Sequence, residues 1–225
     1  MQFSEAIVKK GFSVVADIKL HSPEHGDLMR GRDPVDIALQ LEKLGCPCLT
    51  NVTESNRFGG SLEILRRICR AVKIPVLRKD FIKTSDELKA TQEAGAAGVL
   101  IGCSTLPSEE NERLYHHALA LGLEPLVETH TAAEMAFAVS LRAKFIGVNN
   151  RDIEKLELDD GGIEKTAELI ALVPKDSVII SESGMLTPQD VKRAKNLGVN
   201  AVLVGSALLL ADNLTEMYQR MSTAQ

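Results

Sequence analysis

The chain has 225 residues, 44% of them hydrophobic and 25% charged, enough for one full-sized globular domain and cramped for two. Its 26 Lys and Arg stand against 31 Asp and Glu, a formal charge of −5, which argues against a general polyanion-binding surface and so against nucleic acid as a partner. No apolar run approaches the roughly 18 residues a bilayer span needs, and residues 1–10 lack the apolar core of a secretory signal; a cytoplasmic protein with no membrane partner is expected.

Short β-branched runs recur along the chain at Ser13–Leu20, Cys48–Thr53, Pro75–Phe81, Gly98–Cys103, Pro125–His130, Phe145–Asn150, Val178–Ser183 and Ala201–Ser206. Their first halves are nearly continuous in apolar residues, the pattern of parallel strands covered on both faces. Between them lie segments with helical spacing. Pro34–Leu44 puts Val35, Ile37, Ala38, Leu41 and Leu44 on one stripe, behind Asp33 as N-cap and Pro34 at the first helical position. Ser61–Val72 repeats the arrangement with Ser61 as cap. Further helices are predicted at Ser85–Ala94, Ser108–Ala120, Ala132–Leu141, Ile163–Leu172, Pro188–Asn196 and Leu208–Met221. Gly45, Gly95, Gly122 and Gly198 fit helix C′ positions, where the backbone takes a positive φ.

Eight strands alternating with helices predict a single (β/α)8 barrel over residues 1–225. A doubly wound open sheet is disfavoured by the count and by the lack of a GxGxxG turn after the first strand. Barrel active sites lie where strands end and βα loops begin. Those positions hold Asp17 and Lys19; Thr53; Arg78, Lys79 and Asp80; Cys103; Glu128 and His130; Asn149, Asn150 and Arg151; Glu182 and Ser183; and Gly205 and Ser206. Charge at the end of a doubly covered strand is costly unless paired, so the clustering points to function. Ser183-Gly184 and Gly205-Ser206 close the last two strands, where such barrels bind phosphate through backbone N–H groups. The four cysteines, Cys46, Cys48, Cys69 and Cys103, are too few and scattered for a disulfide framework. Cys103 beside His130 is a minor candidate for a thiolate nucleophile, and no His or Cys set has zinc spacing.

The segments Asp17-Ile18-Lys19-x-x-Ser22-Pro23-x-x-Gly26, Phe58-x-Gly60-Ser61, Pro75-Val76-Leu77-Arg78-Lys79-Asp80-Phe81, Leu126-Val127-Glu128, Gly147-Val148-Asn149-Asn150-Arg151-Asp152, Ser181-Glu182-Ser183-Gly184 and Val204-Gly205-Ser206 closely resemble indole-3-glycerol-phosphate synthase. The likeness runs from about Phe12 to the C-terminus. It implies a barrel of the ribulose-phosphate-binding type and a cofactor-free lyase of tryptophan biosynthesis. The reaction would close the ring of 1-(2-carboxyphenylamino)-1-deoxyribulose 5-phosphate with loss of CO2 and water. By resemblance, Lys79 is the general acid, Glu128 the general base, and Lys19 a partner for substrate charge that assists departure of the hydroxyl. Lys79 is expected to have its pKa drawn toward neutrality by cationic and apolar neighbours. Asn149 and Ser183 would hold ribulose hydroxyls, with Ser22, Gly184, Gly205, Ser206 and Arg151 forming the phosphate and substrate cradle and Phe58 and Phe81 flanking the aryl ring.

Three departures from the family pattern stand out. Asp17 occupies a position where Glu is usual, one methylene shorter. Residues 1–11 stand in place of a longer helical extension, so closure would be weaker or would come from elsewhere, such as the Ser22–Arg32 loop or a neighbouring subunit. Gly102-Cys103 ends the fourth strand where bulkier residues are common, which would enlarge the aryl pocket. These departures leave two alternatives open: a paralogous lyase acting on another N-aryl or amino-sugar phosphate, and a non-catalytic phosphate-binding barrel. The expected partner is a phosphorylated small molecule. The chain would act as a monomer or homodimer, with association with other tryptophan-pathway enzymes open.

Overall fold

A computed structural model describes residues 2–151 and 162–224; Asp152, the last residue of the fifth quoted motif, lies outside them. Eight parallel strands close into a barrel: β1 (Ser13–Ile18), β4 (Leu49–Val52), β5 (Val76–Lys79), β6 (Gly98–Gly102), β7 (Glu124–Thr129), β8 (Phe145–Asn149), β9 (Val178–Glu182) and β10 (Ala201–Val204). They pair in chain order, and β1 closes on β10 through the register Ser13↔Ala201 to Ala16↔Val204. The hairpin β2 (His21–Ser22) with β3 (Gly26–Asp27) projects after β1. All eight strands begin and end within two residues of their predicted positions.

The helices follow the predicted local chemistry. Asp33 accepts a hydrogen bond from Val35 N–H to cap α2 (Pro34–Lys43), and Ser61 accepts from Ile64 N–H to cap α3 (Leu62–Ala71). Around the barrel follow α4 (Ser85–Glu93), α5 (Ser108–Ala120), α6 (Ala132–Ser140), α7 (Glu164–Leu169) and α8 (Pro188–Asn196). Gly45, Gly95, Gly122 and Gly198 have φ of +85°, +88°, +76° and +93°, the left-handed turns that return the chain to the next strand. The final predicted helix is two, α9 (Ser206–Leu209) and α10 (Leu214–Thr223), because the Asn213 side chain accepts from Glu216 N–H and starts a new helix. No described helix is long and apolar enough to cross a membrane.

An additional element, α1 (Phe3–Val8), precedes β1. Phe3 and Ile7 are fully buried and join Val15, Leu77, Leu100, Leu126, Phe145 and Ile180, inward-facing residues of the barrel, in one apolar cluster. Phe3 stacks on Phe145 with ring centroids 5.6 Å apart, and Ser4 N–H donates to Glu124 Oε2 at 2.9 Å, at the start of β7. Residues 3–8 therefore stopper the end of the barrel where strands begin, leaving the opposite mouth for chemistry.

Candidate active site

Side chains alternate in and out along a strand, and this parity sorts the charged strand ends. Asp17, Lys79, Glu128, Asn149 and Glu182 lie on the inward rows with Val15, Leu77, Leu126, Phe145 and Ile180. A cavity at the C-terminal mouth is lined by Asp17, Lys19, Phe58, Lys79, Phe81, Glu128, His130, Asn149, Arg151, Ser183, Gly184, Gly205 and Ser206. The sequence-predicted site residues thus converge, with Ser22 apart. Ser22 is buried in β2, where its hydroxyl accepts from Glu24 N–H at 3.3 Å, and it does not line the cavity.

Lys79 is the centre of the polar cluster. Its Nζ lies 2.9 Å from Glu128 Oε2 and 3.0 Å from Glu182 Oε2, while Asn149 Nδ2 donates to the same Glu128 oxygen at 3.1 Å. Glu182 is fully buried. Space for it comes from Gly147 on the next strand, where an added methyl would sit 2.2 Å from Glu182 Oε1. Burial favours neutral Lys79, but the carboxylates of Glu128, Glu182 and Asp17 outweigh it and hold the lysine above its ordinary pKa. The expected downward shift is therefore corrected: the neighbours are anionic. Two buried carboxylates sharing one cation cannot be equally easy to ionise. Burial pushes both upward. For Glu128 the Lys79 and His130 charges reverse the shift and hold it below the usual range, whereas burial and the charge of Glu128 leave Glu182 raised to about 7 despite Lys79.

Glu182 carries no assigned role in the sequence reading because its motif, Ser181-Glu182-Ser183-Gly184, was absorbed into phosphate binding. Its inward parity with Ile180, facing a glycine in the neighbouring strand, is the signal that singles it out.

Arg78, next to Lys79, points outward. Its guanidinium donates to Thr53 Oγ1 at 2.8 Å, Glu87 O at 3.0 Å, Thr91 Oγ1 at 2.9 Å and Asp80 Oδ2 at 2.9 Å. This buried pair fixes the end of β5 against β4 and α4, and so aims Lys79. Asn150 also faces outward, donating to Glu182 O at 2.8 Å and Ser181 Oγ at 3.1 Å while accepting from Thr166 N–H. The strand-end charges thus form an inner reactive set and an outer bracing set.

The predicted phosphate side has its own geometry. Ser183 and Gly184 take consecutive positive φ values of +63° and +74°. A methyl on Gly184 would collide with Gly162 O at 2.0 Å, so only glycine fits. Across the mouth the Ser206 hydroxyl, largely buried, makes no hydrogen bond among the described residues, and the leading N–H groups of α9 lack intrahelical partners. An added methyl on Gly205 would lie 3.2 Å from Asp17 Oδ2; Asp17 itself accepts from Thr50 Oγ1.

On the side predicted to flank the aryl ring, Glu54 accepts from the N–H groups of Asn56, Arg57 and Phe58 and holds the loop that presents Phe58. Lys19 Nζ sits 5.7 Å from the Phe58 ring centroid, a cation–π contact. Phe81 and Leu186 line the cavity yet are 44% and 42% exposed, large apolar surfaces facing the opening. Gly102 does not enlarge the pocket: a methyl there would meet Thr105 Oγ1 at 2.6 Å, so Thr105 occupies the space. The Cys103 thiol is pushed up to about 12 by burial and the nearby Glu134 and Glu128 charges, which removes the thiolate candidate. Finally, the Ser22–Arg32 loop is tied down. Arg32 donates to Leu28 O at 2.7 Å and to Leu209 O, and Arg30 to Leu210 O at 3.2 Å, at the C-terminal end of α9.

A barrel whose mouth combines a lysine–dicarboxylate centre, an apolar aryl-sized flank and a glycine-shaped rim defines an acid–base enzyme of the (β/α)8 class acting on a phosphorylated small molecule. Residues 1–221 match the family described as indole-3-glycerol phosphate synthase. Indole-3-glycerol phosphate synthase of Thermococcus kodakarensis is 41% identical over 209 residues, covering 93% of this chain and 91% of that protein. The Pyrococcus furiosus enzyme of the same name is 40% identical over 223 residues, 99% of this chain and 97% of its own length, and that of Nocardioides sp. is 41% identical over 199 residues, 88% and 75% respectively. The chain belongs to the indole-3-glycerol phosphate synthase family, carboxy-lyases of tryptophan biosynthesis.

Proposed function

We propose that the mouth of the barrel closes the indole ring of 1-(2-carboxyphenylamino)-1-deoxyribulose 5-phosphate, with Lys79 as general acid, Glu128 as general base and Glu182 as the second carboxylate that steadies Lys79. The observation carrying this reading is the placement of Lys79 Nζ within 3.0 Å of both Glu128 and Glu182, at the floor of a cavity whose rim carries the Ser183-Gly184 and Gly205-Ser206 turns.

The electron-rich anilino ring attacks the ribulose carbonyl, and that oxygen takes a proton as the carbon–carbon bond forms. Lys79 rests as an ammonium, loaded with that proton. A lysine held above its ordinary pKa is a reluctant acid, so much of its effect is electrostatic, acting on the oxygen as negative charge develops. Transfer has a second consequence. Neutral Lys79 no longer depresses Glu128, whose basicity climbs once the cation beside it is gone. The first proton transfer thus arms the carboxylate for the later step, when CO2 has left, the hydroxyl departs as water and a carbon-bound proton must be removed. Asn149 keeps Glu128 oriented through its amide. Lys19, stacked over Phe58, meets the substrate's carboxylate charge and assists loss of the hydroxyl, and Asp17 sits opposite between Thr50 and Gly205. Phe58 and Phe81 flank the aryl ring; Ser183, Gly184, Gly205, Ser206 and Arg151 hold the ribulose phosphate. We read the chain as one barrel domain working in the cytoplasm.

Lys79→Met and Glu128→Gln should each lower kcat on the order of 10²-fold or more while the protein remains folded, followed by the fluorescence of the indole product. A rate within about twofold of the parent in either variant would overturn that residue's assignment.

A further inference from the structure

The reaction has a proton deficit. Loss of CO2 from an ionised aryl carboxylate and of hydroxide as water consumes one proton per turnover. Acid steps at the carbonyl and at the departing hydroxyl use two, and the base step recovers one. The remaining proton must come from solvent to a cluster in which the side chains of Glu182 and Glu128 are 1% and 8% exposed and that of Lys79, 20% exposed, opens only into the cavity that bound substrate would fill.

His130 lies beyond the end of β7, two residues after Glu128, with its side chain only 5% exposed. Its Nε2 is 3.8 Å from Glu128 Oε1 and its Nδ1 is 3.3 Å from Glu134 Oε2. Glu134 is 20% exposed, so the imidazole stands between a buried carboxylate and one that reaches water. Each ring nitrogen faces one carboxylate, Nδ1 within bonding distance of Glu134 and Nε2 beyond it from Glu128. The placement of Glu134 follows from its helix cap. In α4 and α8, Glu87 and Asp190 fill the third helical position and bond back to Thr84 and Thr187 in reciprocal caps, with Lys83 and Leu186 ahead of the cap. In α6 the Glu134 carboxylate likewise takes the His130 backbone N–H, as Glu87 takes that of Lys83 and Asp190 that of Leu186; here the residue ahead of the cap is a histidine, so the carboxylate comes alongside an imidazole. Among the described residues a further titratable group near the pair is Cys103, whose Sγ lies 3.9 Å from Glu134 O.

We propose that Glu134 and His130 form the entry path for the proton that each turnover consumes, an inference that rests on Glu128 and Lys79 being the acid–base pair. A proton from solvent lands on Glu134, the imidazole takes it at Nδ1, and the proton on Nε2 passes to Glu128 Oε1. The protonated carboxyl group of Glu128 then turns about its Cγ–Cδ bond and hands the proton to Lys79, whose Nζ lies 2.9 Å from Oε2, and the ammonium is restored. The ring resets by turning over once the Nδ1 contact to Glu134 is released. His130 is a relay to the acid–base pair and touches none of the reacting atoms.

The test measures kcat and KM from pH 6 to 9 for His130→Gln, which fills the space without passing a proton, for Glu134→Gln, for the double variant, and for His130→Ala with added imidazole. In His130→Gln, kcat should fall on the order of 10-fold with KM unchanged, most steeply at high pH where solvent protons are scarce. Glu134→Gln should show the same defect, the double variant should be no slower than His130→Gln, and imidazole should restore part of the rate to His130→Ala. A kcat for His130→Gln within about twofold of the parent across the range would overturn the proposal. So would strictly additive losses in the double variant, or a His130→Ala defect that imidazole leaves untouched. If His130→Ala does not fold, the two glutamine variants decide. Lys79→Met, assayed alongside, separates the two failures: an active Lys79→Met overturns the site itself, whereas an inactive Lys79→Met beside a fully active His130→Gln overturns only the relay.

Discussion

Replacing Glu182 by Gln isolates the electrostatic strain at the centre of the site. Glu182 is buried with its pKa raised from 4.5 to about 7, by burial first and then by the charge of Glu128, against the pull of Lys79. A folded-state pKa above the unfolded value means that the native protein binds the extra proton, so the group's contribution is fully present below about pH 4.5 and is lost as pH rises through about 7. Between pH 5 and 8 that loss amounts to about 2–3 kcal/mol at 1.36 kcal/mol per pKa unit. Glu128, held low, and Lys79, held high, titrate outside this window. The five histidines are common to both proteins, so they largely cancel in the comparison. Urea unfolding at pH 5 and pH 8 should show the parent losing about 2–3 kcal/mol more than Glu182→Gln on going to the higher pH. At the scale of a barrel this size, that difference is roughly 5–10 °C in Tm. Stability curves for parent and variant that run parallel from pH 5 to 8 would refute the reasoning.

Gly184→Ala should destabilise the protein by about 1–3 kcal/mol, since its φ is +74° and the new methyl meets Gly162 O, and should raise KM more than it lowers kcat; thermal melts and steady-state kinetics check both parts. Phe3→Ala removes the stopper's largest side chain and should cost about 3–5 kcal/mol with kcat preserved in the protein that remains folded, measured by denaturant titration beside the assay. Cys103→Ser should leave kcat within about twofold of the parent, because that thiol stays protonated at neutral pH; a large loss would reinstate a role for sulfur.

The barrel was legible because strands covered on both faces announce themselves as continuous apolar runs, and because Asp33, Ser61 and the C′ glycines mark helix ends by local chemistry alone. The stopper α1 was not. Six residues are too few to display a helical period, and such a helix forms only because the barrel floor receives Phe3 and Ile7. The split before α10 was hidden by an apolar pattern that continues across the break, while Asn213 already carried the capping signal. At the site, position along each strand locates the chemistry, and facing sorts it: parity separates Lys79, aimed inward, from Arg78, which braces from behind. The sign of the Lys79 shift lay beyond the sequence for another reason. Glu128 and Glu182 are 49 and 103 positions away, and their meeting at one nitrogen is a property of barrel closure.

The most direct test of the account is a crystal structure with indole-3-glycerol phosphate bound. The phosphate should rest on the backbone N–H groups of Ser183-Gly184 and Gly205-Ser206, with the indole ring between Phe58 and Phe81 and the Lys79 ammonium and Glu128 carboxylate within hydrogen-bonding reach of the former reacting carbons' substituents. Phosphate density at the α1 end of the barrel, or a product seated with Lys79 and Glu128 out of reach, would contradict it.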